Sequence, residues 1–205
     1  VLVESGRTSC SKGSWSCNVQ NPPRKGGVRE CIVARRGKVL VGCDYDTIEL
    51  RTLAQTCLEI VGYSALAEAL CKGEDPHSSF AAERAGLSYE DFLKKLKDGD
   101  VESEYGRQAA KMSNFGLPGG LGWKTLMAYA LGYGLNLTPA EAKEIKEAYL
   151  RRWPEMKRYF EFISNASEAE LDLIHPRSER VCGNPRYTKR ANGYFQGRAA
   201  DGAKE

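Results

Sequence analysis

Arg107, Lys111 and Phe115 are spaced so that together they could bind a chain of phosphates. They recur at intervals of four residues within a predicted helix over residues 103–117. At 100° per residue, the three side chains fall within about 80° of one another on one helix face. Two cations on successive turns can neutralise successive phosphates, while the aromatic ring packs on a sugar or base. The Lys111 ammonium could also give a proton to a pyrophosphate leaving group. The same spacing fits a plainer helix with Phe115 in the core and two solvated cations.

Asp44 is a candidate ligand for a metal ion. It follows the apolar run Val39–Cys43, which predicts a buried strand. A carboxylate at the end of such a strand suits Mg²⁺, which takes one or two carboxylates together with phosphate oxygens and waters. Taken alone, Asp44 fits a helix N-cap better, because the polar cluster Asp44–Thr47 suits a turn and a helix start.

The elements that must position these side chains are mostly helices. Residues 1–27 are rich in Ser, Gly, Pro and Asn and predict a loop, whereas residues 61–165 have helical spacing. The predicted helices are 64–72, 78–85, 88–97, 103–117, 124–134 and 139–163, with Thr138 starting the last and Pro154 kinking or breaking it. A basic loop or short hairpin follows Ile174, and a final helix is predicted from Lys189 or Arg190. We therefore expect one α+β unit with a helical insertion.

The composition is that of a globular protein without a membrane helix. Hydrophobic residues make up 41% and charged residues 28% of the 205 residues, and the net charge of +3 is too small to indicate a polyanionic partner. The seven irregularly spaced cysteines favour reduced structural thiols, with a zinc site as the minor alternative. No apolar run approaches the roughly 20 residues of a membrane helix. There is no signal peptide and no initiator Met, and Ala203–Glu205 resembles the middle of a helix, so we expect both ends to be cut.

Six stretches in order resemble the family A DNA polymerases. Residues 44–51, DYDTIELR, resemble the family's motif A, usually written DYSQIELR, and residues 107–116, RQAAKMSNFG, resemble its motif B. Four further stretches also match the family, at residues 6–9, 18–23, 75–77 and 192–201. The resemblance covers nearly the whole chain, and the run Phe-Gly-Leu-Pro-Gly-Gly is closer to bacteriophage members than to cellular ones.

The resemblance implies an α+β polymerase palm, an antiparallel sheet with helices, that carries a mostly helical fingers insertion. Residues 1–60 would form the first part of the palm, 61–185 the fingers and 186–205 the start of the returning palm helix. The thumb and the C-terminal palm would be absent. The implied function is template-directed DNA synthesis from dNTPs in replication or repair, by a monomer in the cytoplasm of a bacterium or a phage-infected cell.

The resemblance also implies roles for site residues. Asp44 would bind two catalytic Mg²⁺ ions with help from the Tyr45 carbonyl, and Glu49 would exclude a ribose 2′-hydroxyl. The triphosphate would be held by Arg107, Lys111 and His77, with Lys111 as proton donor and Phe115 beside the sugar. The Phe at this position implies discrimination against dideoxynucleotides. Contacts with the primer–template DNA would come from Arg7, Asn18, Gln20, Arg29, Asn192 and Gln196. Minor-groove acceptors are shared by all base pairs, so such contacts check geometry without reading sequence.

The chain departs from the family in three places. Gly119 stands where a Tyr usually stacks near the templating base, and we expect Pro118 to kink or end the helix there and Trp123 to take over the template. Asp46 replaces a Ser beside the metal site, where we expect it to cap the helix. The family's third motif, His-Asp-Glu, is missing, so we expect the 205-residue chain to be inactive by itself.

Two other functions are compatible with parts of the sequence. A single-subunit RNA polymerase shares the fold and the Arg/Lys helix, but Glu49 would exclude its substrate and such enzymes have a Tyr in place of Phe115. A non-catalytic DNA-binding module derived from a polymerase would not need to retain Asp44, Glu49 and Lys111.

Overall fold

The computed structural model describes residues 5–7 and 27–205, and most of the regular structure in these ranges is helical. It consists of α1 (Ile48–Val61), α2 (Ala65–Cys71), α3 (Pro76–Ala85), α4 (Tyr89–Lys97), α5 (Val101–Gly116), a 3-10 turn (Leu117–Gly119), α6 (Trp123–Leu131), α7 (Pro139–Arg152), α8 (Glu155–Glu168), β1 (Leu173–Ile174), β2 (Val181–Cys182) and α9 (Tyr187–Gly202). The helical middle of the chain and the hairpin after residue 174 are confirmed, as is the α+β class.

Local capping chemistry determines where several helices begin. The Asp75 carboxylate accepts hydrogen bonds from the backbone amides of α3, and Asp100 does the same for α5. At α7, Thr138 and Glu141 cap each other's backbone amides, as the sequence predicts. Pro154 breaks the long predicted helix into α7 and α8, because its ring cannot continue the hydrogen-bond ladder.

The turn after α5 explains the glycines in Pro-Gly-Gly. A Cβ added to Gly119 would lie 2.6 Å from the Asn192 side-chain nitrogen, and one added to Gly120 would lie 2.4 Å from the Tyr187 ring. Gly120 also has φ +79°, which favours glycine. Helix α9 therefore packs directly on this turn, and a side chain at Gly119, the position of the family's Tyr, would have to displace the Asn192 amide. The predicted end of the helix near Pro118 is confirmed.

A single apolar core joins the helices. Helix α3 packs on α5, α6 on α7, and α1 on both α8 and α9. The core is filled by large buried side chains, among them Leu53, Phe80, Met112, Tyr149 and Trp153. Between α1 and α9 the Thr52 hydroxyl donates to the Phe195 carbonyl at 2.9 Å. This packing holds the start of α1 and the end of α9 side by side.

The predicted strand Val39–Cys43 is wrong. These residues are irregular and exposed, with Val39 83% and Val41 82% accessible. A strand needs a neighbour to complete its backbone hydrogen bonds. Within residues 5–7 and 27–205 the two short strands β1 and β2 pair only with each other, so no strand lies beside this segment.

The predicted cap at the start of α1 is also wrong. Thr47, not Asp44 or Asp46, occupies the N-cap position, and its side chain makes no capping hydrogen bond. The Asp46 carboxylate instead accepts a hydrogen bond from Arg51 at 3.1 Å. Arg51 lies five residues after Asp46, and its guanidinium donates to both the carboxylate and the backbone carbonyl of Asp46.

The last helix begins earlier than predicted. Helix α9 runs from Tyr187 to Gly202, so it starts two residues before Lys189. Within the described ranges, no helix has the length and apolar character needed to cross a membrane. Cys31, Cys43, Cys57 and Cys71 are free thiols.

Candidate functional site

The predicted stripe on α5 exists, and its first member is held in an ion pair. Arg107 donates through Nε and Nη2 to one carboxylate oxygen of Asp75, at 3.0 and 2.9 Å. Its Nε also donates to the Ser78 hydroxyl at 3.1 Å. Burial opposes ionisation of Asp75, but the hydrogen bond from Ser78, the charge that His77 carries when protonated and the charge of Arg107 outweigh it and lower the pKa of Asp75. Arg107 is therefore anchored to the start of α3 and remains 39% exposed.

His77 lies behind this ion pair and is almost fully buried. Its ring packs on Phe115 with centroids 5.4 Å apart, and its Nδ1 is 3.0 Å from the Asn114 amide nitrogen. Burial lowers the pKa of His77 to about 4, with the charges of Arg107 and Lys111 acting in the same direction and Asp75 opposing them. His77 is therefore neutral at pH 7. Phe115 is half-buried rather than part of the deep core.

Lys111 lies between Arg107 and Phe115 and is half-buried. Its ammonium forms no ion pair with residues 5–7 or 27–205. Its charge nevertheless acts on His77. A half-buried cation without a carboxylate partner is available to an external anion.

The predicted motif A residues border a cleft of about 520 Å³ between the start of α1 and the end of α9. Glu49 and Tyr45 line it, together with Arg7 and Lys204. The Arg7 guanidinium donates to the Glu49 carboxylate at 2.6 Å. The structure thus pairs two residues to which the sequence assigned separate roles, one on DNA and one on the sugar.

The two halves of the site act on each other electrostatically. The Asp46 charge raises the pKa of His77 against the larger effect of burial. Burial raises the pKa of Tyr129, and the hydrogen bond to Tyr133 and the charge of Glu49 raise it further. Charges of motif A thus act on His77 of α3 and on Tyr129 of α6.

Sequence reasoning missed Tyr129. Its ring lies against Gly116, where an added Cβ would be 3.0 Å from two ring carbons, and its hydroxyl is 3.1 Å from that of Tyr133. Trp123, the residue expected to take over the template, has two lysines near its ring, with Lys143 at 5.0 Å and Lys124 at 5.5 Å from the ring centroid. Only the short residue Gly116 next to Phe115 could have suggested a close aromatic neighbour.

The residues expected on DNA are spread over several elements. Asn192 packs on Gly119 and donates to the Thr188 carbonyl at 3.0 Å, while Gln196 lies half-buried one turn further along α9. Arg29 lies in an exposed turn. Asn18 and Gln20 fall outside the described residues.

The metal-binding expectation rests on Asp44 and Tyr45. Both are exposed and lie directly before α1. Within residues 5–7 and 27–205, no group of three His, Cys, Asp or Glu side chains is arranged to hold a metal ion. One carboxylate and a backbone carbonyl suit Mg²⁺ only when phosphate oxygens and waters complete the shell. The described donors therefore fit part of a metal site.

Comparisons with known proteins agree on one family. The sequence profile of DNA polymerase family A matches residues 2–204. DNA polymerase I of Helicobacter pylori is 32% identical over 220 residues, covering 98% of this chain and 22% of the relative. DNA polymerase I of Lactococcus lactis is 31% identical over 218 residues, with the same two coverages of 98% and 22%. The chain thus spans about a fifth of the length of these relatives.

A solved structure shares the fold. It is described as the POL domain of Pol1 from M. smegmatis in complex with DNA primer-template and dNTP. The TM-score is 0.59 at 23% sequence identity, and the match covers 96% of this chain and 32% of the other.

Proposed function

Because the chain belongs to DNA polymerase family A, we propose that it contributes the nucleotide-binding face of a DNA-directed DNA polymerase. In this proposal a dNTP binds on α5 and is joined to a primer 3′ end opposite a DNA template, in replication or repair. The division into palm (1–60 and 186–205) and fingers (61–185) belongs to the proposal. So does a location in the cytoplasm of a bacterium or of a phage-infected cell.

The observation that carries the proposal is the arrangement around Lys111. This cation has no ion pair in the described ranges and lies one turn from the half-exposed Arg107. The charges of Arg107 and Lys111 both lower the pKa of the neutral His77. Two cations and a neutral donor in a partly desolvated position suit a polyphosphate. Phe115, which backs the His77 ring, would border the sugar.

Phosphoryl transfer needs alignment and charge neutralisation more than covalent help. Asp44 and the Tyr45 carbonyl would hold Mg²⁺, and two such ions would supply the charge that aligns the attacking and leaving oxygens. Lys111 would hold its proton close to the leaving pyrophosphate. Arg107, fixed by Asp75, would orient the phosphates without moving itself.

Glu49 would select the sugar from the cleft beside α9. Its carboxylate is held by Arg7 in the absence of substrate. An exposed ion pair of this kind contributes little stability, so Arg7 can leave Glu49 and turn to the DNA minor groove at little cost. Asn192 and Gln196 on α9, together with Arg29, Asn18 and Gln20, would complete the contacts with the primer–template.

The proposal is tested by Lys111→Ala in the intact gene product that contains this chain. We expect the single-turnover rate of primer extension to fall about 100-fold, as for loss of a general acid, while DNA affinity stays within about twofold. The control is Lys94→Ala, which removes the same charge from an exposed site on α4. If DNA affinity fell while the single-turnover rate held, Lys111 would be a DNA contact and the assignment would be wrong.

We also propose that the 205-residue chain binds dNTP without extending a primer. The described ranges offer Asp44 but no cluster of three potential metal ligands, which supports binding without catalysis. Primer extension by the chain with Mg²⁺ is the test, and robust extension would refute this part of the proposal.

A further inference from the structure

The orientation of the Asn114 side-chain amide is fixed from two sides. Asn114 is 1% exposed, on the inner face of α5. The Trp153 indole N–H, which can only donate, lies 3.2 Å from Asn114 Oδ1. The Pro76 carbonyl, which can only accept, lies 3.1 Å from Asn114 Nδ2. A flipped amide would place donor against donor and acceptor against acceptor, so Nδ2 must point towards α3.

The fixed amide determines the tautomer of His77. The second hydrogen of Asn114 Nδ2 points at His77 Nδ1, 3.0 Å away. That ring nitrogen must accept, and in a neutral imidazole the other nitrogen then carries the hydrogen. His77 is therefore an Nε2–H donor.

The Nε2 atom of His77 has no hydrogen-bond partner among the described residues. It is also not one of their fully buried polar atoms that lack a partner, so it keeps some exposure to solvent. The Phe115 ring fixes the plane of the imidazole, and the charges of Arg107 and Lys111 act on it. A neutral N–H in a positive field suits an anionic oxygen.

We propose that Asn114, oriented by Trp153, is a positioning residue that presents His77 as a neutral Nε2–H donor to a phosphate of the bound nucleotide. The phosphate role rests on the proposed function, whereas the tautomer does not. The arrangement supplies a third phosphate contact that does not add a third charge beside Arg107 and Lys111.

The tautomer can be measured directly, because the chain has two histidines, His77 and His175. Two-bond ¹H–¹⁵N correlation spectra of the ¹⁵N-histidine-labelled 205-residue chain at pH 7 distinguish the tautomers, and His77→Gln assigns the signals. We expect the Nε2–H form of His77 to exceed the Nδ1–H form at least about tenfold, since the reverse form loses a buried hydrogen bond. A predominant Nδ1–H form of His77 in the wild-type chain would by itself refute the proposal.

Asn114→Asp tests the cause of the tautomer. Aspartate keeps the shape but its carboxylate can only accept, so His77 should gain a hydrogen on Nδ1, whereas His175 should be unchanged. If His77 kept its Nε2–H form in a folded Asn114→Asp chain, Asn114 would not be the positioning residue.

The phosphate role is read in the same spectra. Addition of dATP with Mg²⁺ should shift the His77 Nε2 signals, and addition of deoxyadenosine should not. If dATP binds without moving these signals, the phosphate role of His77 is wrong while the nucleotide site stands. If dATP does not bind at all, the proposed function fails, and the tautomer remains a separate result.

Discussion

Acidification should destabilise the protein through His77. Burial lowers the pKa of this side chain from 6.5 to about 4 in the folded protein. As the pH falls below 6.5, His77 becomes protonated in the unfolded chain but stays neutral in the folded protein. The stabilising contribution of the neutral histidine is therefore fully present above pH 6.5 and is lost progressively between pH 6.5 and about 4.

The expected loss follows from the two pKa values. At about 1.4 kcal/mol per pKa unit, the interval from 6.5 to about 4 corresponds to about 3 kcal/mol. Between pH 7 and pH 4.5 most of this interval is crossed, so His77 alone should remove about 2 kcal/mol from the free energy of unfolding. That is a large fraction of the stability of an ordinary domain.

The assay is urea unfolding followed by circular dichroism at both pH values, for the wild type and His77→Gln. Carboxylates that do not interact with His77 contribute equally to both proteins, so the difference between their losses reports His77 together with its coupling to Asp75. Burial also lowers the pKa of His175, which is a second buried histidine. The same two unfolding measurements on His175→Gln therefore provide the matched comparison for His77→Gln. Equal losses in the wild type and His77→Gln would refute the reasoning. If His77→Gln is too unstable to measure, an NMR titration of the wild type serves instead, and a His77 pKa near 6.5 would contradict it.

Three further predictions follow from the site and the core. Glu49→Ala should raise incorporation of ribonucleotides by the intact gene product at least about tenfold in competition with dNTPs, because the cleft beside α9 would then admit a 2′-hydroxyl; unchanged discrimination would remove Glu49 from sugar selection. Phe115→Tyr should increase acceptance of dideoxynucleotides in chain-termination assays, and an unchanged ratio would contradict its place beside the sugar. Leu53 is in the core at 0% exposure, and Leu53→Ala should lower the free energy of unfolding by about 2–5 kcal/mol. Leu93 is 38% exposed on α4, and Leu93→Ala should change the free energy of unfolding by less than about 1 kcal/mol. Similar effects of the two substitutions would mean that the core is misassigned.

The features that the sequence predicts well depend on neighbouring residues. Thr138 and Glu141 cap α7 because both partners lie within one turn, and Pro154 breaks the helix through its own ring. The α5 stripe was predictable for the same reason, since a helix alone determines which of its residues share a face.

The features that the sequence missed depend on distant residues. Val39–Cys43 is apolar enough for a strand, but no strand among the described residues lies beside it to complete its hydrogen bonds. Arg107 is paired with Asp75 across 32 positions, and the Asn114 amide is fixed by Trp153 across 39. Likewise, the Asn192 side chain lies where a side chain of residue 119 would begin, and no local sequence pattern could indicate this contact.

Helix α5 as a triphosphate site is the central claim, and competitive binding tests it most directly. The measurement is the affinity of a fluorescent dATP analogue for the 205-residue chain with Mg²⁺, and its displacement by tripolyphosphate. We predict that Lys111→Ala weakens both affinities at least about tenfold, the size expected for loss of a hydrogen bond to a charged group, and that Lys94→Ala weakens neither. Equal affinities in the wild type and Lys111→Ala, with circular dichroism showing both folded, would contradict the claim.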